Sequence, residues 1–72
     1  MDHVHLVVQG GVKFALTTIG VFASHDGANE FVELLRKNQG GIWSLEKFGH
    51  YEIWTRASDG FSVGIERQIV HP

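Results

Sequence analysis

The sequence predicts an α+β domain: a small antiparallel β-sheet with elements in the order ββαβββ and one helix packed on one face. Three observations carry this. Apolar residues alternate with period two near the N-terminus and through the last third. A central segment repeats its apolar residues at helical spacing, and clusters containing glycine separate the segments. No parallel crossover is required, which argues against Rossmann-like and P-loop arrangements.

Val4, Leu6 and Val8 alternate with His3, His5 and Val7, the pattern of a strand with one face buried. Gln9, Gly10 and Gly11 supply a tight turn into a second β-rich run, residues 12–23. Within it Phe14 and Leu16 share one face while Ile19 and Val21 fall on the other, so a bulge near Thr17 and Thr18 is expected. Ser24 is a good N-cap, Asp26 suits the positive helix start, and Ala28, Phe31, Val32 and Leu35 recur at i, i+3, i+4 and i+7. The outer helix face carries Asn29, Glu30, Glu33, Arg36 and Lys37, and Asn38, Gln39, Gly40 and Gly41 form the stop. Gly27 in the first turn costs up to about 1 kcal/mol relative to Ala, so the helix depends on packing against the sheet.

The last third reads as strands at residues 42–48, 51–57 and 61–70, separated by Gly49-His50 and by Ser58-Asp59-Gly60. A three-residue loop with Gly60 left-handed places Ala57 opposite Phe61. Pairing outward from there sets Thr55 against Val63 and Ile53 against Ile65 on one face. Arg56 with Ser62, Trp54 with Gly64 and Glu52 with Glu66 then occupy the other.

Composition limits function. The 72 residues, 43% hydrophobic and 19% charged, describe a single domain spanning 1–72. A chain this short buries only about 60% of the surface its unfolded form exposes. With no cysteine, disulfides and thiolate zinc sites are excluded. The net charge of −2, with Lys13, Arg36, Lys37, Lys47, Arg56 and Arg67 scattered among more numerous acids, argues against a nucleic-acid partner, although Trp54, Tyr51 and Phe48 could stack on bases. The most apolar stretch, residues 14–23, is far below the roughly 20 residues that span a bilayer, so no membrane association is expected. A cytoplasmic location follows from the lack of a basic, apolar targeting pattern near the start.

Candidate chemistry is sparse. His3 and His5 point to one side of a strand, a spacing that can place two imidazoles on one divalent metal, with His50, His71, Glu52 or Glu66 as a third ligand. The plainer reading is an exposed polar face near a terminus. Glu52 and Glu66, directly opposite in the expected register, could act as an acid and a base, but on an open face without a pocket solvated carboxylates are the simpler account. No nucleophile elbow, metalloprotease helix, cysteine nucleophile or Walker loop is present, so no catalytic residue and no cofactor are expected.

Trp54 is more informative. The expected register projects it onto a face with His50, Glu52, Arg56, Glu66 and Gln68, across from Gly64. Tryptophan beside arginine on a polar face is the composition of a protein-binding hot spot. The competing account is that Trp54 merely shields Gly64. The functional expectation is a non-enzymatic protein-interaction module of the kind phage and plasmid accessory proteins provide. It would regulate or inhibit a larger protein partner, or form a homodimer, through its open sheet face. The alternative is a divalent-metal-binding protein using His3 and His5.

Overall fold

The structure, a computed structural model, describes residues 2–11 and 14–70, with side chains for 3–11 and 15–69. Val12, Lys13 and His71, read above as a strand start, a cation and a candidate metal ligand, lie outside the described residues, as does the Phe14 side chain. The elements follow in the expected ββαβββ order: β1 (Asp2–Gly11), β2 (Phe14–Phe22), α1 (His25–Gln39), β3 (Trp43–Phe48), β4 (Tyr51–Arg56) and β5 (Phe61–Val70). Among the described residues the strands form one antiparallel sheet of order β2-β1-β5-β4-β3, with the chain's last strand beside its first.

Ser24 caps α1, its hydroxyl accepting from the Gly27 amide at 3.1 Å, and Gly40 ends the helix at φ 71°. The β2 bulge lies one residue from its expected place: Val7 pairs with Gly20 and Val8 with Thr18, which leaves Ile19 as the extra residue. The core between helix and sheet consists of Val7, Trp54, Val63 and Ile65 against Ala28 and Val32, with Ile19, Phe22, Phe31, Leu35, Trp43 and Phe61 packed around it.

Three expectations are corrected. Gln9, Gly10 and Gly11 are not the first turn but the end of β1, paired with Val63, Ser62 and Phe61. The loop joining β4 to β5 has four residues, 57–60. The Gly60 amide donates to the Arg56 carbonyl at 2.9 Å, and Asp59 takes both Arg56 Nε at 3.0 Å and Arg56 Nη2 at 2.7 Å while also accepting from the Phe61 amide at 3.1 Å. The extra loop residue moves the pairing by one, so Trp54 faces Val63, Glu52 faces Ile65, and Glu66 faces Tyr51. A slip of one residue sends every side chain to the opposite face. Trp54 is therefore core, 6% exposed, with the Arg36 guanidinium 5.0 Å from its ring centre. The ring that lies over Gly64 is that of Tyr51, whose hydroxyl would stand 2.7 Å from a Cβ added there.

β1 is inverted as well. Its helix-covered face is the one with His5 and Val7, whereas Val4, Leu6 and Val8 lie half-buried on the helix-free face. Both faces of β1 are apolar, and the pairings of Val7 with Ile65 and of Gln9 with Val63 decide which one joins the core.

β4 holds the helix along its length. Arg56 Nη1 donates to the Gln39 carbonyl at 3.2 Å and lies 3.5 Å from that of Gly40, a cation on the helix's negative end, with its guanidinium 5.5 Å from the Trp43 ring and 5.4 Å from Phe61. Glu52 bonds His25, the first residue of α1, at the positive end.

Truncating Trp54 to Ala empties the centre of this core and is expected to cost about 3–5 kcal/mol in urea denaturation, a large fraction of a small domain's stability. Val21→Thr on the helix-free face is expected to stay within roughly 0.5 kcal/mol of wild type. The Arg56 contact lowers the Asp59 pKa from 3.8 to about 2, so its contribution is present above 3.8 and is lost as pH falls through 2. Asp59→Asn should then remove part of the acid sensitivity between pH 4 and 2 in thermal melts.

Candidate functional site

Two surfaces carry chemistry or binding potential, one on each side of the sheet. On the helix side, rows of paired residues bring His5, Arg67 and His50 together at one end, next to Glu52 and Lys47. His25 at the start of α1 completes a shallow cleft of about 330 Å³ lined by His5, His25, Lys47, His50, Glu52 and Arg67. The His25 Nε2 bonds Glu52 Oε1, and Lys47 Nζ lies 3.7 Å from Glu52 Oε2. The His5 ring meets the His25 ring edge-on, with centres 5.8 Å apart.

His5 is 8% exposed, and its Nδ1 has no hydrogen-bond partner. An unpaired buried polar atom costs about 1–3 kcal/mol, so the position is held by the packing of its neighbours. Burial holds the His5 pKa below 6.5, and the charges of His25, Arg67 and His3 press it the same way, opposed by Glu52. The neutral imidazole is thus the form that fits beneath the helix.

The helix-free face has a different character. One row across the sheet reads Val21, Leu6, Glu66, Tyr51, Phe48, and the next reads Thr18, Val8, Gly64, Ile53, Glu46. Leu16 joins them over Gly10, where an added Cβ would meet its Cδ2 at 2.8 Å. Leu16, Val21 and Phe48 are 76%, 60% and 56% exposed. Gln68 Nε2 donates to Glu66 Oε1 at 2.5 Å. Burial raises the Tyr51 pKa, and the Glu66 charge adds to the effect, which keeps the phenol neutral. Among the described residues this face carries no Lys or Arg.

The residues expected to form one binding face are divided between these surfaces. Trp54 is in the core, Arg56 is spent on Asp59 and the helix end, and Glu52 and His50 belong to the helix-side cleft. Glu66 and Gln68 lie on the helix-free face, so the expected Glu52–Glu66 carboxyl pair does not form. His3 and His5 share a side of β1 as expected, but His3 is exposed beside Ile69 while His5 is buried against His25. Among the described residues no group of three or more His, Asp or Glu is arranged to hold a metal ion. His25 belongs to no motif or spacing pattern in the sequence, and its contacts with His5 and Glu52 arise only when α1 packs on the sheet.

Comparison with protein-family models, with curated proteins and with solved structures finds no match, so the functional reading rests on the geometry of the chain itself. Among the described residues no helix is long and apolar enough to cross a membrane.

The depressed His5 pKa has a definite sign. The unfolded chain binds a proton near pH 6.5 that the folded chain resists, so stability is complete above 6.5 and falls as pH drops below it. The wild-type melting temperature should decline from pH 7 to 5, and His5→Phe should flatten that slope. An unchanged slope would assign the dependence to other groups.

Proposed function

We propose that the protein is a non-enzymatic interaction module that docks the helix-free face of its sheet on a larger protein and regulates it by covering part of its surface. The observation that carries this is the composition of that face: Val4, Leu6, Val8, Leu16, Val21, Tyr51, Ile53 and Phe48, with Glu66 at the centre. Antiparallel sheets that face water normally alternate apolar-in with polar-out, whereas here those apolar and aromatic side chains stand among Thr18, Ser44, Glu46, Thr55, Ser62 and Gln68 on the side away from the helix. Five strands spaced about 4.8 Å apart over some six residues give a face on the order of 500 Å², which with flanking residues approaches the roughly 800 Å² per partner of a standard interface.

Charge selects the partner. Among the described residues Glu46 and Glu66 project from the face without a neighbouring cation, so the complementary surface is apolar with a Lys or Arg at its middle. A second copy brings the same carboxylates against each other in an apolar contact, which disfavours the homodimer.

Sedimentation velocity together with affinity capture and cross-linking tests this reading. The expected outcome is a monomer at 100 µM or so, and a protein cross-linked to the face through a basic, apolar patch. That protein is lost with Glu66→Lys and with Ile53→Asp, and retained with Leu34→Ser on the exposed side of α1. A tight dimer that Glu66→Lys dissociates would replace the foreign partner with a second copy. Retention of the captured protein by both face variants would refute docking at this surface.

A further inference from the structure

On the opposite side of the sheet, we propose that the cleft between the start of α1 and the ends of β1, β4 and β5 is a binding site for a phosphate group, free or carried as a phosphate monoester. Nitrogen donors converge there from separate elements: His5 from β1, His25 from α1, Lys47 from β3, His50 from the β3–β4 turn and Arg67 from β5. The single carboxylate of the lining, Glu52, is already engaged with His25 and faces Lys47. Lys47 and Arg67 against Glu52 leave one net positive charge on the lining before any imidazole is counted. Among the described residues the Arg67 guanidinium has no carboxylate partner, although its backbone amide is anchored to the His50 carbonyl at 3.0 Å.

A second observation is independent of this charge count. His5 belongs to the lining, is more than nine-tenths buried, and keeps an unpartnered Nδ1. A buried imidazole left short of a partner at the wall of a basic cleft can donate to an acceptor there in the tautomer that carries its proton on Nδ1. The cleft also borders the N-terminus of α1, whose dipole favours an anion at the same place.

The arrangement of donors favours a phosphate over a carboxylate. A carboxylate offers two oxygens in one plane, whereas a tetrahedral group with three or four acceptor oxygens can engage donors contributed by β1, α1, β3 and β5 together. A cleft of about 330 Å³ holds the phosphate with a small attached body. No part of this site overlaps the helix-free face, so its fate is independent of the docking surface proposed above.

The test follows the histidine ring nitrogens by NMR while inorganic phosphate is added at constant ionic strength and pH 7, with chloride as the balancing anion. The expected result is saturable shifts at His5 and His25 with half-saturation below about 1 mM, weakened at least tenfold by Arg67→Ala and severalfold by Lys47→Ala, and unchanged by Lys37→Ala on the outer helix face. Backbone spectra of each variant establish that it is folded, and Lys47→Ala carries the test if Arg67→Ala is not. Shifts that fail to saturate by 20 mM, that acetate reproduces at equal concentration, or that survive in both cleft variants would overturn the proposal.

Discussion

Which side chains of β3 and β4 lie beneath the helix depends on how the four residues 57–60 close the β4–β5 hairpin. Asp59 holds the Arg56 side chain with two hydrogen bonds and caps the Phe61 amide, which fixes the loop at four residues and the pairing at Trp54 with Val63. Because side chains alternate, that one choice sends Glu52, Trp54 and Arg56 beneath the helix and Tyr51, Ile53 and Thr55 to the other side. Those first three residues are the ones that engage α1. Glu52 meets its first residue, the Arg36 guanidinium lies over Trp54, and Arg56 reaches its last carbonyls. An acid at the positive end and a cation at the negative end each work with the helix dipole.

What was legible in the sequence was mostly local. Ser24 as N-cap, the apolar stripe of α1, the glycines after it and the order of the strands follow from interactions spanning a few residues, whereas Gln9-Gly10-Gly11 has the composition of a turn and is held in β1 by its pairing with β5. The β4–β5 register was read one residue off because Ser58-Asp59-Gly60 suits a three-residue loop as well as part of a four-residue one. What discriminates is the Arg56 side chain, which has no signature at the level of spacing. The inversion of β1 has a different cause. Val4, Leu6 and Val8 form a better apolar face than His5 with Val7, so pattern alone puts the wrong side inward. Pairing with β5, some sixty residues away, supplies Ile65 and Val63 as neighbours and overrides it. The candidate cleft was illegible for the same reason: its histidines come from positions 5, 25 and 50, and only the strand order brings them together.

A single helix over a five-stranded sheet leaves one face without a layer, and the composition of that face is what distinguishes this chain from a sheet designed to face water. Tyr51 covers Gly64 on this face, and Leu16 covers Gly10. The edges are less inviting. β2 is bulged at Ile19, and β3 carries Lys47 and Glu46, both features that discourage strand addition. A partner therefore gains more by lying across the face than by extending the sheet.

The net charge of −2 hides a separation between the two sides. On the sheet, Lys47, Arg56 and Arg67 and the side chains of His3, His5 and His50 are all on the helix side, while Glu46 and Glu66 project from the other. On the helix side Glu52, Glu30 and Glu33 stand with those cations, so that side carries both signs, while the helix-free face carries Glu46 and Glu66 with no Lys or Arg among the described residues. Under the docking proposed above, a basic partner surface meets that face in a preferred orientation. Because the sheet itself lies between the two surfaces, loading one does not obstruct the other, and on each strand that lines the cleft the next residue belongs to the opposite face: Leu6 beside His5, Phe48 beside Lys47, Ile53 beside Glu52 and Glu66 beside Arg67.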